Sequence, residues 1–516
     1  MATTYLSPGV YVEEVDKGVK PIQGVGTSIT GFICITAEVS LKALIPATGQ
    51  KESVECRINK ATLVTSWTQY NEIFGGFVDG AYLPDAVYGY FNNGGGVCYV
   101  TSVRAMDSAD AAIAASATIP ASKGDSFKVA AKMTGDAGNN LIVTIKNDVD
   151  DKGKETGTFS MSVGGETKSG LSMKKTDGDN YIGNATFNAV TVSDVGTATA
   201  NPADGTYNLS GGGMPPLSVP DFLGSTAERT GLGGLEVYDD IALLVCPDIM
   251  YGYDGSPAAK ERVKTIQEAM ITHCEKLRYR FALLDTPPDL NAQQAKEWRE
   301  YINFDSSFAA LYYPWIRVAD LSDSPATTKL VPPSGHMVGI YNRVDGERGV
   351  HKAPANEIVR GAIDLELNLT RGEQDVLNPM GVNCIRSFPG RGIRAWGART
   401  LSSDVAWRYI NVRRLFIYVE HSMDLGLQWV VFEPNDPDLW ARVRRDITSF
   451  LRNVWRSGAL FGTSEDQAFY VKCDEELNPS EVRDLGMLII EAGMCPVKPA
   501  EFVIFRISQW AGPNAA

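Results

Sequence analysis

Hydrophobic and polar positions follow two rhythms along this chain, and the changes between them divide it. Tyr5 to Val15 sets a Pro8-Gly9 turn signal before a short alternating run, a β-type segment ahead of any globular pattern. Ser28 to Thr36 predicts a first strand, Thr65 to Phe74 a helix entry and Leu83 to Asn92 an apolar helix. Gly94 to Gly96 then leads into a strand over Val97 to Val103. From about Ala105 to Gly213 the chain turns to Ala, Gly, Ser, Thr and Asp, with a β-type run at Leu141 to Ile145 and turn clusters at Gly135 to Asn140 and Gly164-Gly165. Between residues 105 and 230, 10 Lys plus Arg stand against 15 Asp plus Glu, and Phe127, Phe159, Tyr181, Phe187, Tyr207 and Phe222 are the aromatics, the pattern of an inserted, exposed all-β domain.

A different rhythm follows. Apolar runs at Ile241 to Cys246, Arg280 to Leu284 and Phe308 to Trp315 alternate with helical stretches at Pro257 to Leu277 and Asn291 to Ile302, which suggests βαβ units and a parallel sheet. Pro332-Pro333-Ser334 predicts another helix start, with the Ser334 hydroxyl as cap. The last third carries strands at Cys384 to Phe388, Ile393 to Ala395 and near Met487 to Ala492, with the segment Ala468 to Asp474 unassigned between its helices. Its helices are predicted at Ile410 to Leu427, Pro437 to Ser457 and Pro479 to Gly486, and a β-type alternation closes it from Glu501 to Ser508. The expected fold class is multidomain α/β and α+β. Residues 1–20 form an extended arm, 21–104 with 231–355 a βαβ-type central domain, 105–230 the inserted β domain, 356–498 a mixed C-terminal domain and 499–516 a second extended strand arm.

With 516 residues, 44% hydrophobic and 21% charged, the chain can bury sizeable cores. Its formal charge of −14 lacks the basic footprint that phosphate neutralisation needs, so nucleic acid is not an expected partner. Eight cysteines are scattered, at 34, 56, 98, 246, 274, 384, 473 and 495, with no pair at zinc or thioredoxin spacing; they read as buried thiols in a reducing compartment. The N-terminus does not read as a secretion leader and no run of about 20 apolar residues occurs, so synthesis in the cytosol without direct membrane insertion is expected.

The usual catalytic constellations do not assemble. The Gly153-Lys154 dipeptide continues into Glu155 rather than a phosphate-loop hydroxyl, and no Gly-x-Ser-x-Gly elbow occurs. Asp148, Asp150 and Gly153 mimic the start of a calcium loop, but Lys152 stands where an oxygen ligand belongs and Phe159 replaces the closing acid. His273, His336, His351 and His421 are not at helical metal-ligand spacing, and His273 faces a different side of its helix from Cys274. Gly94 to Gly96 reads as a plain turn. No catalytic residue, cofactor or metal is therefore expected.

What remains points to assembly. A lone strand cannot satisfy its own backbone, so both terminal β-type segments need a sheet to join, in this chain or in a neighbour. In the helix from Pro437, Leu439, Val443, Ile447, Phe450, Leu451 and Val454 form one stripe, with Arg442, Arg445, Arg452 and Arg456 opposite. Residues 371 to 460 hold 13 Arg and no Lys against 9 Asp plus Glu, a composition suited to geometric pairing with carboxylates.

Three stretches carry a family likeness: Leu6 to Val15; Val331 to His336 continuing to Glu347 through Asn356; and Arg413 to Glu420 through Phe432 to Asn435. On these the chain resembles the contractile tail sheath proteins of myophages, R-type bacteriocins and extracellular contractile injection systems, except over residues 105 to 230. The resemblance implies a subunit that stacks with itself in hexameric rings or a six-start helix around an inner tube protein, with baseplate and terminator or cap proteins as further partners. It would be made in the bacterial cytoplasm and work in a tail-like particle, contracting from a metastable extended state to drive the tube through a target envelope. It further implies strand exchange between subunits at Val10, Tyr11, Val12 and Val15 and at Phe502, Val503, Ile504, Phe505 and Ile507. Inner-tube contact is implied at Arg442, Arg445, Arg452 and Arg456. A non-contractile shell or surface-layer protein, or an enzyme with an unrecognised site, are the alternative readings.

Overall fold

The computed structural model describes residues 21–37, 58–78, 81–105, 114–121, 125–134, 136–150, 152–195, 200–212, 217–322 and 327–506. Strand β1 (Thr30–Thr36) is buried at every position, as a strand covered on both faces must be. β2 (Ala61–Val64) precedes α1 (Trp67–Phe74), whose cap Ser66 accepts from the Gln69 amide at 3.1 Å. α2 (Leu83–Asn92) leads into β3 (Cys98–Ala105), which lies parallel to β1.

The chain then enters a separate compact unit, residues 106–218. Its strands are β4 (Ala114–Pro120), β5 (Asp125–Thr134), β6 (Ile142–Val149), β7 (Glu155–Val163), β8 (Glu166–Leu171), β9 (Val190–Ser193) and β10 (Gly205–Asn208). They make two antiparallel sheets, β4-β5-β9 and β10-β6-β7-β8, around Phe127, Val129, Val143, Phe159 and Met161. The unit ends at Ser218 rather than near residue 230. Composition stays small and polar to Thr230, but α3 (Val219–Leu223) and α4 (Gly231–Gly234) belong to the larger unit: Asn59 donates from Nδ2 to the Asp221 carbonyl at 3.3 Å and accepts from the Gly231 amide at 3.0 Å.

The larger unit continues with β11 (Leu243–Val245), α5 (Pro257–Leu277), β12 (Phe281–Asp285), α6 (Ala292–Ile302) and β13 (Ala309–Tyr313). β14 (Ile316–Ala319), β15 (Thr328–Val331), α7 (Ser334–Arg348), β16 (Glu357–Ile358), β17 (Ala362–Leu365), α8 (Arg371–Leu377), β18 (Val382–Phe388) and β19 (Gly392–Ala395) follow. Among the described residues, nine strands form one sheet in the order β16-β19-β18-β13-β12-β11-β1-β3-β2, parallel from β18 to β3 and antiparallel at both margins. Beside it lies an antiparallel sheet, β15-β14-β17.

Against expectation, Ser334 does not cap α7. Pro333 holds the cap position, and Ser334 points its Oγ to Asp285 at the end of β12, at 2.5 Å. The Ser334-Gly335-His336 stretch instead shapes a helix contact: a Cβ on Gly335 would stand 2.4 Å from Ala86 Cα, and one on Gly339 would stand 2.5 Å from the Tyr90 carbonyl oxygen. α7 can therefore lie directly on α2.

α9 (Ile410–Gly426) and α10 (Pro437–Arg456) then pack on each other, followed by α11 (Glu465–Ala468), β20 (Phe469–Lys472), α12 (Ser480–Asp484) and β21 (Glu491–Met494). β20 and β21 pair antiparallel as a two-stranded sheet. The whole is a mixed α/β, multidomain architecture.

Candidate assembly surface

α10 begins where Asp436 accepts from the Leu439 amide at 2.8 Å and Pro437 fixes the first turn, and it ends on Arg456. Leu439, Val443, Ile447, Phe450, Leu451 and Val454 are all buried, against Leu415 and Val419 of α9 and Phe469 of β20. The opposite face carries the predicted arginines, but the fold supplies carboxylates for three of them. Arg442 reaches Glu433 at 3.4 Å and stacks over Trp429; Arg445 meets Asp446 at 3.3 Å; Arg452 clasps Glu465 at 2.5 and 3.0 Å. The Arg452 hydrogen bond, with Arg456 adding its field, holds the Glu465 carboxyl below its ordinary pKa. This face is thus a lattice of half-neutralised charges rather than a bare cationic stripe. Arg444, not singled out from the sequence, is turned toward the Cys473 carbonyl.

The two-stranded sheet lies beside this helix. Its register is Phe469 with Met494, Tyr470 with Gly493, Val471 with Ala492 and Lys472 with Glu491. Tyr470 lies across Gly493, where a Cβ would come within 2.1 Å of the ring. Among the described residues neither strand has a second neighbour, so each presents a free edge, and a two-stranded sheet is marginal by itself. Met487 to Ile490 form an apolar run whose exposure alternates, but the ladder starts later, at Glu491. The Asn478 side chain donates to the Ile489 carbonyl at 3.0 Å and accepts its amide at 2.7 Å, occupying the groups that a partner strand would use.

From β21 the chain returns toward the large sheet and stops at an ionic clamp. The Glu501 carboxylate accepts from Arg399 Nε at 2.9 Å and Nη2 at 2.8 Å, from Asn378 Nδ2 at 2.7 Å and from the Tyr409 hydroxyl at 2.9 Å. Burial works against ionisation there, yet the bonds from Arg399, Asn378 and Tyr409 outweigh it and hold the carboxyl below its ordinary value. Immediately beyond, Phe502, Val503, Ile504 and Phe505 are 71, 69, 80 and 84% exposed and, among the described residues, belong to no strand. Four consecutive large apolar residues in water are rare on a finished surface. Of the other residues expected in strand exchange, Val10, Tyr11, Val12, Val15 and Ile507 lie outside the described residues.

Three of the groups that could have suggested chemistry, His273, Asp248 and Asp150, are engaged in the fold. His273 Nε2 accepts from Arg280 Nη1 at 2.6 Å, and burial followed by the Arg280 and Lys276 charges depresses its pKa to about 3. Asp248 accepts the Ile35 and Tyr82 amides at 2.7 and 2.5 Å, joining β1 to the start of α2. Asp150 accepts the amides of Lys152 and Lys154, both at 2.9 Å, which makes this segment a tight turn. Of the cysteines, 34, 98, 246, 274, 384 and 473 are buried thiols, Cys495 is exposed, and Cys56 lies outside the described residues.

Two family models match the chain, "Phage tail sheath protein central domain" over residues 239–401 and "Phage tail sheath C-terminal domain" over 402–509, together just over half of its 516 residues. The tail sheath protein of Vibrio phage KVP40 is 23% identical over 63% of this chain and 49% of its own length, so the chain spans about half of that relative. The tail sheath protein of Escherichia phage P2 is 26% identical over 56% of this chain and 70% of the relative. Among solved structures, the sheath complex of the extracellular contractile injection system PVC in its contracted state has a TM-score of 0.58 at 24% identity, covering 99% of both chains. The helical sheath of the anti-feeding prophage (AFP) in its contracted state has a TM-score of 0.59 at 23% identity, over 98% of this chain and 100% of the other. Both likenesses are likenesses of fold.

Proposed function

We propose that this chain, which belongs to the phage tail sheath family, is the structural subunit of a contractile sheath that polymerises around an inner tube and shortens to drive the tube through a target envelope. The observation that carries the reading is the apolar segment Phe502 to Phe505, standing in solvent beyond the Glu501 clamp while the same chain holds a two-stranded sheet with free edges. A strand without a sheet and a sheet without enough strands complement each other when copies assemble. Burying the two of these side chains that meet the packed face of the sheet is worth roughly 1.5–3 kcal/mol each, and about five backbone bonds add about 0.5–1.5 kcal/mol apiece. Phe502, Val503, Ile504, Phe505 and Ile507 of one copy then enter the β20–β21 sheet of the next, and Val10, Tyr11, Val12 and Val15 do the same from the other end.

The links stay attached while subunits slide, so the polymer has two lengths without dissociating. No catalytic step is needed: the extended state stores the energy at assembly, and contraction releases it as interface is gained. The arginine face of α10 meets the inner tube through Arg442, Arg445, Arg452 and Arg456, exchanging intramolecular carboxylates for those of an acidic tube. Baseplate and cap proteins close the two ends, and the particle is built in the bacterial cytoplasm. Electron microscopy of the protein co-expressed with its tube and baseplate, before and after mild denaturant, tests this. A long thin and a short wide rod are expected; a single fixed polymer, or monomers alone, would return the shell and enzyme readings.

A further inference from the structure

We propose that the Arg399–Glu501 clamp is where tension on the strand-exchange segment enters the subunit, keeping that tension off the small sheet that receives a neighbour's strand. The inference rests on the strand-exchange reading. It starts from a conflict in the chain's layout. β21, half of the receiving sheet, ends at Met494, and the donated segment begins at Phe502 in the same stretch of chain. A pull on the donated segment would therefore peel β21 from β20 and destroy the acceptor that the next copy is using.

The residues between these two segments prevent this. Val497 donates its amide to the Ala459 carbonyl and accepts from Asn411 Nδ2 at 3.1 Å, and four residues later Glu501 reaches the clamp. The clamp partners lie outside the small sheet: Asn378 follows α8, Arg399 follows β19 and Tyr409 precedes α9. Arg399 is itself fixed. Its amide donates to Asn383 Oδ1 at 2.7 Å, and Asn383 Nδ2 donates to the carbonyls of Arg399 and of Leu311 in β13, at 2.8 and 3.2 Å. Load arriving at Phe502 thus passes through one carboxylate into β18 and β13, inner strands of the nine-stranded sheet. Glu501 is a positioning residue for strand exchange, and its partners set the direction in which the segment leaves the subunit.

The test uses full-length protein assembled with its tube and baseplate. Glu501→Gln keeps size and loses the ion pair, Tyr409→Phe removes a single bond, and Glu501→Arg with Arg399→Glu reverses the pair. Extended sheaths of ordinary length are expected from each. On triggered contraction, Glu501→Gln sheaths should break into pieces several-fold shorter than wild type, Tyr409→Phe sheaths should break less, and the reversed pair should recover length. Glu501→Gln sheaths that contract whole, or breakage that does not follow the bonds removed, would overturn the proposal. A wild type that never shows two lengths would overturn the sheath reading itself, whatever the variants do.

Discussion

Arg414 holds Asp345 by two guanidinium nitrogens, at 2.9 and 2.6 Å, and the Thr27 hydroxyl donates to the same carboxylate at 2.6 Å. Both charged side chains are nearly fully buried, and Tyr341 lies under the guanidinium. The pair joins α9, in the part matched as the C-terminal sheath domain, to α7, in the part matched as the central domain. On the proposed sheath reading, a subunit that moves against its neighbours needs such a joint to be stiff. Removing one partner leaves the other charge buried and unpaired, so Arg414→Ala should lower the unfolding free energy by about 3–5 kcal/mol. Arg414→Met combined with Asp345→Leu should lower it much less. Denaturant titration of the soluble subunit measures both, and equal losses would show that packing, not the charge, matters at this joint.

The contact of α7 with α2 has no slack. Gly335→Ala would press a methyl carbon against Ala86 Cα, a backbone atom that cannot turn aside. A loss of about 1–3 kcal/mol is expected from the forced separation of the helices. Gly346→Ala, on the same helix with open space around it, should be neutral or slightly stabilising. Thermal melts of the two variants check the contrast.

That contrast also marks what a sequence can tell. The strands of the large sheet were legible because a strand buried on both faces must be a continuous apolar run, as β12 is from Phe281 to Leu284. The helices were legible at their ends, where Ser256 with Pro257 and Asn291 with Gln294 make local caps. The Glu501 clamp was not, because its partners lie 92, 102 and 123 residues away and Glu501 stands in an ordinary alternating run. β21 was misplaced for a related reason: Met487 to Ile490 is an unbroken apolar run of strand length, but the Asn478 side chain takes bonds that a partner strand would have made. The wheel of α10 separated its two faces correctly yet could not see Glu433 and Glu465 folding back over its arginines.

His273 gives a pH-dependent signature. It accepts a hydrogen bond from a buried guanidinium, so protonation would set two cations 2.6 Å apart. Its folded pKa of about 3 lies below the ordinary 6.5, so the neutral ring stabilises the fold fully above pH 6.5 and progressively less as pH falls toward 3. His273→Gln keeps an acceptor for Arg280 and does not titrate. Relative to wild type it should gain about 1.4 kcal/mol per pH unit below 6.5, with a flat difference above. Paired unfolding curves between pH 8 and 4 read this directly, because other titrating groups cancel in the difference.

The proposed strand exchange makes the sharpest demand on Phe502 to Phe505. In the single subunit these four side chains are similarly exposed, so nothing in the free chain distinguishes one face of the segment from the other. Once the segment adds to β20–β21 of another copy, its side chains must alternate between the two faces of that sheet. One face of the acceptor is the packed one: Phe469 is buried and Val471 packs beside it, while the intervening Tyr470 points outward. Aspartate placed singly at the four positions should therefore give an alternating pattern. Either Phe502→Asp and Ile504→Asp, or Val503→Asp and Phe505→Asp, should abolish sedimentable sheath, and the other two should be tolerated. The affected pair must lose the burial of a large apolar side chain, about 1.5–3 kcal/mol, and also desolvate a charge. Each subunit should remain folded as a monomer, since all four side chains are largely exposed among the described residues. Equal damage at all four positions would mean that the segment is buried as a general apolar plug rather than as a strand, and equal tolerance would remove it from the assembly altogether.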